Sequence, residues 1–245
     1  MFPHETLLFS GDRIVAIDKP AGVSLATRRR EPGAAVARLL ATLPPAVRAE
    51  NGLASDALFL VHRLDVGTSG VVVLARDRET HRELVRVFSE RRAEKTYLAL
   101  AWGHPRPPEG RWAWPLGPDR RDRRRMTVCE DGRAAVTDYI VWDRAPHVSL
   151  VRLAPATGRT HQLRVHLAHA GHPVVGDDLY GGPRHRAVRD AELRRLLNPG
   201  RPLLHAWRMH LPQTDAGPEL ILTAPIPIDL ASALAALGIP LPSWD

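Results

Sequence analysis

One short stretch of the sequence combines an acid, a base and two turn-forming glycines. Residues 62–70 read HRLDVGTSG, which places Arg63 two positions before Asp65. The glycines allow a positive φ angle or the close approach of another backbone, and the Thr-Ser pair can fix a turn by local hydrogen bonds. A carboxylate held still in this way can attack the anomeric carbon of a sugar. Asp65 is therefore a candidate catalytic residue.

Apolar runs flank this stretch on both sides. Residues 57–61 and 71–75 are short, partly β-branched and bounded by turn residues, which predicts two buried strands. Asp65 then lies at a strand end. The simpler interpretation of the residues alone is that Asp65 caps a turn and that Arg63 is its solvated neighbour.

Nucleotide-cofactor and metal chemistry find little support in the sequence. It contains no P-loop and no dinucleotide fingerprint after a strand. Four histidines crowd residues 161–172, but on a helix only His166 and His169 share a face, which is weak support for zinc. We expect core or backbone-binding histidines, no metal and no cofactor.

Hydrolase chemistry also fits poorly. Ser69 lacks the Gly-x-Ser-x-Gly elbow that presents a nucleophile between a strand and a helix. Hydrolysis of a glycosidic bond needs two positioned carboxylates, and no second one near Asp65 is convincing. Isomerisation therefore fits better, although a nucleoside-acting hydrolase stays a competing class.

Composition points to a globular protein that binds nucleic acid. The chain has 245 residues, 44% of them apolar, which suits one large domain or two closely packed lobes. Its net charge is +7, and Lys19 and Lys95 are its only lysines. Planar guanidinium groups suit phosphate binding. A GC-rich genome would explain arginine in place of lysine, but not the surplus of arginine over acidic residues.

The compartment predicted from the sequence is the cytoplasm. Cys129 is the only cysteine, so no disulfide can form within the chain, which indicates a reducing compartment. Neither a signal peptide nor a membrane-length apolar run is present.

Strands dominate and are not separated by regular crossover helices, which predicts an α+β fold with a mixed, largely antiparallel sheet flanked by helices. Residues 48–56 and the proline-, glycine- and arginine-rich residues 103–132 are predicted to be loops. Asp77 is predicted to cap a helix that runs to about residue 92, with His81, Leu84, Val85 and Phe88 on one face. Further strands are predicted at 7–17, 95–102, 134–142, 148–153, 203–210 and 219–222, and further helices at 34–43, 160–170, 190–197 and 228–237.

Residues 62–70 resemble the signature of the RluA-like family of RNA pseudouridine synthases, His-Arg-Leu-Asp, two variable residues and Thr-Ser-Gly, at all seven fixed positions. Family-like segments follow in the expected order at 17–22, 95–99, 158–166, 176–181 and 204–206. The resemblance implies a single catalytic domain over 1–245 with a central cleft. It also implies a cofactor-free isomerase that converts a uridine in structured rRNA or tRNA to pseudouridine. The competing hypothesis is a non-catalytic RNA-binding protein of the same fold.

The resemblance also assigns roles to individual residues. Asp65 matches the catalytic aspartate, Tyr97 the tyrosine that stacks on the target base, and Arg164 the arginine that pairs with the aspartate. Arg63 matches the residue that assists base extrusion. The other RNA-binding residues it implies are His62, Arg159, His161 and Gln162. The partner is RNA, and a monomer is expected.

The sequence departs from the family pattern at two places. The small N-terminal RNA-binding domain of the S4 type, which many relatives carry, is not recognised. Residues 210–212 read HLP where the family has an aromatic residue before His-Pro. Two arginine tracts, 28–30 and 120–125, could meet RNA phosphates or could be merely solvated.

Overall fold

The computed structural model of the protein describes residues 6–26, 31 and 33–243. The chain divides into two compact units, Met1–Lys95 with Ala206–Pro225 (unit 1) and Thr96–His205 with Ile226–Asp245 (unit 2). The single catalytic domain expected from the sequence stays a prediction. The arginine tract at residues 28–30 lies outside the described residues.

Six α-helices and twelve strands lie in the described part of the chain, which confirms the α+β class. The strands are β1 Leu7–Ser10, β2 Ile14–Lys19, β3 Phe59–Leu60, β4 Ser69–Ala75, β5 Glu94–Trp102, β6 Glu109–Trp112, β7 Leu116–Pro118, β8 Met126–Val128, β9 Thr137–Ala145, β10 Val148–Pro155, β11 Leu204–Leu211 and β12 Leu220–Thr223. The helices are α1 Ala34–Leu40, α2 Pro45–Glu50, α3 Arg78–Ser89, α4 Gln162–His169, α5 Ala191–Leu196 and α6 Ile228–Ala236, with a 3-10 turn at Arg184–Ala187.

The strands of unit 1 follow the order β1-β2-β4-β11, with β3 paired to β4 and β12 paired to β11. The pairs β1–β2, β2–β4, β3–β4 and β11–β12 are antiparallel. Every residue of β4 is buried, as expected for a strand made of apolar and small residues. The register sets Lys19 of β2 opposite Gly70 of β4, so two family-like segments lie side by side.

Helix α3 closes the core of unit 1. Asp77 accepts a hydrogen bond from Thr80 N at 2.8 Å, which confirms the predicted cap. Leu84 and Val87 are buried, whereas Val85 is 40% exposed, so the predicted apolar face was wrong at Val85. Positions three apart share a helix face, so Val87 lies on the inward face with Leu84, whereas Val85 does not.

The main strands of unit 2 follow the order β5-β10-β9-β6, and each neighbouring pair is antiparallel. β7 and β8 form a separate antiparallel ribbon. Helix α4 is buried from Gln162 to Leu167. A helix covered on most sides brings its polar side chains into the protein interior, where they need partners.

Three predicted boundaries were wrong. Residues 45–50 form α2 where a loop was predicted from residue 48, because Pro45 at the first helical position starts a helix as readily as it stops the preceding one. Residues 103–132 contain β6, β7 and β8 and are not one loop, since hairpin pairing outweighs their low strand propensity. The strand predicted at 57–61 is shorter in the structure, where β3 spans Phe59–Leu60.

Across the described ranges, none of the helices combines the length and the apolar character that crossing a membrane requires.

Candidate active site

Asp65 lies in a tight turn just before β4. Its carbonyl oxygen accepts a hydrogen bond from Thr68 N at 3.1 Å, which closes the turn over four residues. The Asp65 side chain is partly exposed, Leu64 before it is buried, and Arg63 is exposed. The backbone is thus fixed by an anchored leucine and a closed turn, while the carboxylate and the guanidinium stay accessible.

Lys19 anchors this turn from the end of β2. Its side chain is fully buried, and its Nζ lies 2.9 Å from Pro20 O, 3.1 Å from Val23 O and 3.3 Å from Val66 O. A buried ammonium is costly unless its protons are hydrogen-bonded, and these three carbonyl oxygens match its three donors. The lysine therefore ties the residue after Asp65 to the turn that follows β2.

The carbonyl of Val66 accepts a second bond from the same turn. Gly22 N donates to Val66 O at 2.7 Å, and Gly22 has a φ of +90°, in the region that favours glycine. Val66 O is therefore held by an ammonium and an amide, both supplied by residues 19–22. The family-like segment at 17–22 acts on the Asp65 turn through the backbone.

Gly70 is required where β4 begins. Its φ is +115°, and a Cβ placed on it would lie 2.6 Å from the carbonyl carbon of Ala206 and 2.7 Å from its nitrogen. No side chain fits at that distance from another backbone. The prediction that glycine here permits a positive φ and a close approach is therefore confirmed for Gly70.

The His62 ring is hydrogen-bonded and stacked within unit 1. Its Nε2 accepts a hydrogen bond from Val73 N at 3.0 Å, and its ring stacks on Phe88 with 4.8 Å between centroids. Burial, and next the nearby Lys95 ammonium, lower the pKa of His62 to about 3. The ring is therefore neutral near pH 7 and carries its proton on Nδ1. Contact of His62 with RNA stays a prediction.

Tyr97 lies in β5 and belongs to unit 2. It is partly buried, it pairs with Leu153 of β10, and it packs against the apolar cluster that contains Val151 and Leu163. A tyrosine with one side packed and the other accessible can present a flat ring to a base. Its stacking role stays a prediction.

Arg164 makes a buried, bidentate ion pair with Asp177. Its Nε lies 2.6 Å from Oδ2 of Asp177 and its Nη2 lies 2.8 Å from Oδ1, and the two side chains are 10% and 1% exposed. Two parallel hydrogen bonds fix the plane of the guanidinium. Asp177 was missed as a site residue, although the segment at 176–181 was recognised as family-like. The predicted pairing of Arg164 with Asp65 stays a prediction.

Tyr180 contacts both helix α4 and the arginine-rich hairpin at residues 119–125. The guanidinium carbons of Arg125 and Arg164 lie 5.2 and 5.0 Å from its ring centroid, within the range of cation–π attraction. Its hydroxyl accepts a hydrogen bond from Met126 N at 2.8 Å and lies 2.8 Å from Nδ1 of His161. Burial is the main cause that raises the pKa of Tyr180, so it stays a neutral phenol. Tyr180 lies in the family-like segment at 176–181, but no role was predicted for it.

The Gln162 side chain connects several segments of unit 2 by hydrogen bonds. It is 4% exposed; its Oε1 accepts from Thr157 Oγ1 at 2.7 Å and Arg159 N at 3.0 Å, while its Nε2 donates to Val136 O and Thr137 Oγ1. Its hydrogen-bonding capacity is used within the protein. Contact of Gln162 with RNA stays a prediction without geometric support.

Arg159 and His161 precede Gln162 at the start of α4. Arg159 is half-buried, and its Nε donates to Ala134 O at 3.0 Å, which leaves its terminal nitrogens available. His161 caps the helix in a left-handed conformation with a φ of +56°. Such backbone strain in a residue other than glycine is common at functional sites. RNA binding by these two residues stays a prediction.

Two histidines in and just after helix α4 bind groups inside unit 2. His166 is fully buried, with Nδ1 3.0 Å from Thr137 Oγ1 and Nε2 3.1 Å from Trp114 O, and burial lowers its pKa. His172 Nδ1 lies 2.9 Å from Trp102 O. The expectation of core or backbone-binding histidines is confirmed for these two. Residues 6–26, 31 and 33–243 contain no group of three His, Cys, Asp or Glu side chains placed to hold a metal ion.

Comparison with known proteins supports a nucleic-acid-modifying activity. The model of the RNA pseudouridylate synthase family matches residues 13–169. The chain is 37% identical over 227 residues to the dual-specificity RNA pseudouridine synthase RluA of Escherichia coli K12, which covers 91% of this chain and 94% of that protein. It is 36% identical over 232 residues to an uncharacterized RNA pseudouridine synthase of Mycobacterium bovis, with 95% and 72% covered.

Solved structures agree with these sequence relatives. Human RNA pseudouridylate synthase domain containing 4 has a TM-score of 0.76 and 27% identity, and the match covers 97% of this chain and 94% of that one. Human RNA pseudouridylate synthase domain containing 1 has a TM-score of 0.72 and 29% identity, over 96% and 90% of the two chains.

Proposed function

This chain belongs to the RNA pseudouridine synthases, isomerases that act on RNA, and we propose that Asp65 carries out its reaction on a uridine in structured ribosomal or transfer RNA. The observation that carries this proposal is the Asp65 turn. It combines an accessible carboxylate with a backbone fixed by Lys19, Gly22 and Gly70. A carboxylate carried on a fixed backbone loses less freedom when it reacts, which lowers the barrier.

The reaction exchanges one bond of the ribose for another. The bond between N1 of uracil and C1′ of ribose breaks, the base turns over, and a bond forms between C5 and C1′. C5 loses its proton and N1 gains one, so no oxidant, reductant or other reactant is required. Asp65 can attack C1′, add to the base or remove a ribose proton, and in each route it is the essential group.

We propose supporting roles for the other residues that match the family. Tyr97 stacks on the extruded base and assists proton removal from C5, since its ring offers a flat wall and a polar hydroxyl. Arg164 stabilises the negative charge of the catalytic aspartate. Arg63 is exposed beside Asp65 and enters the RNA stack when the base leaves it.

RNA contacts outside the target nucleotide are assigned to accessible cations. Arg159 is partly exposed, and the hairpin at residues 119–125 carries exposed guanidinium groups. His62 and Gln162 are assigned to positioning, because Nε2 of His62 and both polar atoms of the Gln162 amide already bind protein groups. The relative from Escherichia coli is named as a dual-specificity RNA pseudouridine synthase, which supports RNA as the substrate. A cytoplasmic monomer fits this role.

The proposal is tested with RNA that carries tritium at C5 of uridine. Pseudouridine formation must release tritium to water, because C5 exchanges its hydrogen for the bond to ribose. We expect release with wild-type protein from ribosomal or transfer RNA without added cofactor. Sequencing of the product for pseudouridine then gives the modified position.

Two other outcomes would favour the competing classes. A non-catalytic RNA-binding protein would bind the RNA and release no tritium. A glycosidase would release free uracil and leave an abasic ribose. Either result would overturn the assignment of Asp65 to isomerisation.

A further inference from the structure

The segment at residues 184–195 carries a second dense group of arginines. Five of its twelve residues are arginines, and all five side chains are exposed; they are Arg184, Arg186, Arg189, Arg194 and Arg195. Among the residues that the structure describes, none of these five takes part in an ion pair. We call this group the 184–195 arginine surface.

The hairpin at residues 119–125 differs in this respect. It also has five arginines, but Arg124 binds Asp122 at 2.7 Å and Arg125 lies 3.9 Å from Asp119. Arg124 lowers the pKa of Asp122 to about 2, so that carboxylate stays ionised at any physiological pH. Part of the hairpin charge is therefore neutralised locally, whereas the arginines of the 184–195 surface are not neutralised by an ion pair.

The arginine surface is anchored to unit 2. Val188 and Leu197 are buried, and Asp190 caps α5 by accepting a hydrogen bond from Leu193 N at 2.7 Å. Arg194 Nη1 donates to Val188 O at 3.3 Å within the segment. A folded segment presents its guanidinium groups in fixed relative positions, which lowers the entropic cost of binding several phosphates at once.

A concave surface adjoins the arginines. A cavity of about 320 Å³ is lined by Arg184, Ala187 and Val188 of the segment, and by Trp102, Gly103 and His147. Its rim therefore places the exposed imidazole of His147 and the guanidinium of Arg184 on one depression of unit 2. Both groups can donate hydrogen bonds to an anionic oxygen.

We propose that the 184–195 arginine surface binds the phosphate backbone of the structured RNA substrate, away from the target uridine. Guanidinium groups without a carboxylate partner are suited to phosphate, because they give up no ion pair on binding. The inference rests on RNA being the substrate. It adds a contact surface that the central motif does not predict, and it assigns no role in the chemical step to these arginines.

The test compares two triple variants with equal loss of charge. Arg184→Gln, Arg186→Gln and Arg189→Gln neutralise the surface. Arg86→Gln, Arg92→Gln and Arg111→Gln remove three exposed arginines that are already paired with Glu90 or Asp138. Each variant lowers the net charge from +7 to +4, so general attraction to RNA changes equally. Circular dichroism and thermal melting establish that both are folded.

Binding to unfractionated transfer RNA is measured between 50 and 200 mM KCl on the full chain. We expect the surface variant to bind about tenfold more weakly at the middle of that range, with a salt slope less steep by about 2–3. In tritium release it should raise KM and leave kcat unchanged. The control variant should keep the wild-type slope to within about one.

Equal losses of RNA affinity in both variants would overturn the proposed role of the 184–195 arginine surface, because the effect would then be one of net charge alone. Failure of the enzymatic assignment looks different: wild-type protein would release no tritium, while the comparison of binding slopes would still decide whether the surface contacts RNA.

Discussion

The turn that carries Asp65 and the helix that carries Arg164 are held in place by different kinds of interaction. The turn is fixed through its backbone: Val66 O accepts from Lys19 and Gly22, and Gly70 lies against the Ala206 backbone. The helix is fixed through side chains, in which Arg164, Asp177 and Tyr180 form one cluster.

In unit 1 the groups that hold the turn are distinct from the carboxylate that is proposed to react. In unit 2 the Arg164 side chain is proposed to serve both purposes. A turn held by its backbone leaves the Asp65 side chain accessible, so changing that side chain should cost activity and little stability. In the Arg164 cluster the guanidinium is itself a structural partner, so changing its neighbours should cost stability and activity together.

The largest effect is expected for Asp65→Asn. The amide keeps the size of the carboxylate but lacks its charge and nucleophilicity, so tritium release should fall by about 10³-fold or more. The free energy of unfolding, measured in urea, should stay within about 0.5 kcal/mol of wild type. Asp56→Asn, at an exposed position of the same unit, is the matched control and should leave both unchanged. Substantial residual turnover in Asp65→Asn would contradict the catalytic role.

The next effect is expected for Asp177→Asn. It leaves the buried Arg164 guanidinium without its carboxylate, and breaking one side of a buried pair costs about 3–5 kcal/mol. Urea unfolding should show this loss, with reduced tritium release. The double variant with Arg164→Met should recover part of the stability but not the activity, since the buried charge that lost its Asp177 partner is then gone. A loss below about 1 kcal/mol in the single variant would show that the cluster is not held by this pair.

A smaller effect is expected for Gly70→Ala, compared with Gly22→Ala. Both glycines have a positive φ, but a Cβ on Gly22 meets nothing within 4 Å, whereas one on Gly70 overlaps the Ala206 backbone. Gly22→Ala should therefore cost about 1 kcal/mol from the backbone conformation alone, and Gly70→Ala about 2–3 kcal/mol in urea unfolding. Equal costs would mean that the close approach to Ala206 contributes nothing to the turn.

The smallest effect is a pH dependence from His62. Its pKa is about 3 in the folded chain and about 6.5 in an unfolded one, so between these values the unfolded state binds the additional proton. The stabilisation is complete above pH 6.5 and is lost progressively as the pH falls toward 3. Wild type should lose on the order of 1 kcal/mol from this group between pH 7 and 5.

His62→Gln removes the titrating ring and should flatten that part of the curve. Its Oε1 can still accept from Val73 N, which limits other damage. Free energies of unfolding at half-unit pH intervals provide the measurement. A variant curve parallel to that of wild type would assign the acid loss to other groups, such as His166, whose pKa is also lowered by burial.

Much of unit 1 could be predicted because its signals act between neighbours in sequence. Asp77 caps α3 at a distance of three residues, the Asp65 turn closes over four, and Gly70 requires its own φ. Prediction failed where tertiary packing decided, as at Val85 and in the strands of residues 103–132. The pairing of β6 depends on β9, which follows later in sequence and whose register no local pattern contains.

The sequence by itself determined the α+β class, the Asp65 turn and the family, since these depend on residue types at fixed short spacings. Only the tertiary structure decided which groups surround the candidate residues. Lys19 binds a carbonyl 47 positions away, Arg164 a carboxylate 13 positions away, and His62 an amide 11 positions away. Such partners are chosen by how strands and helices pack, because burial makes each of these polar groups costly until a partner from another part of the chain reaches it.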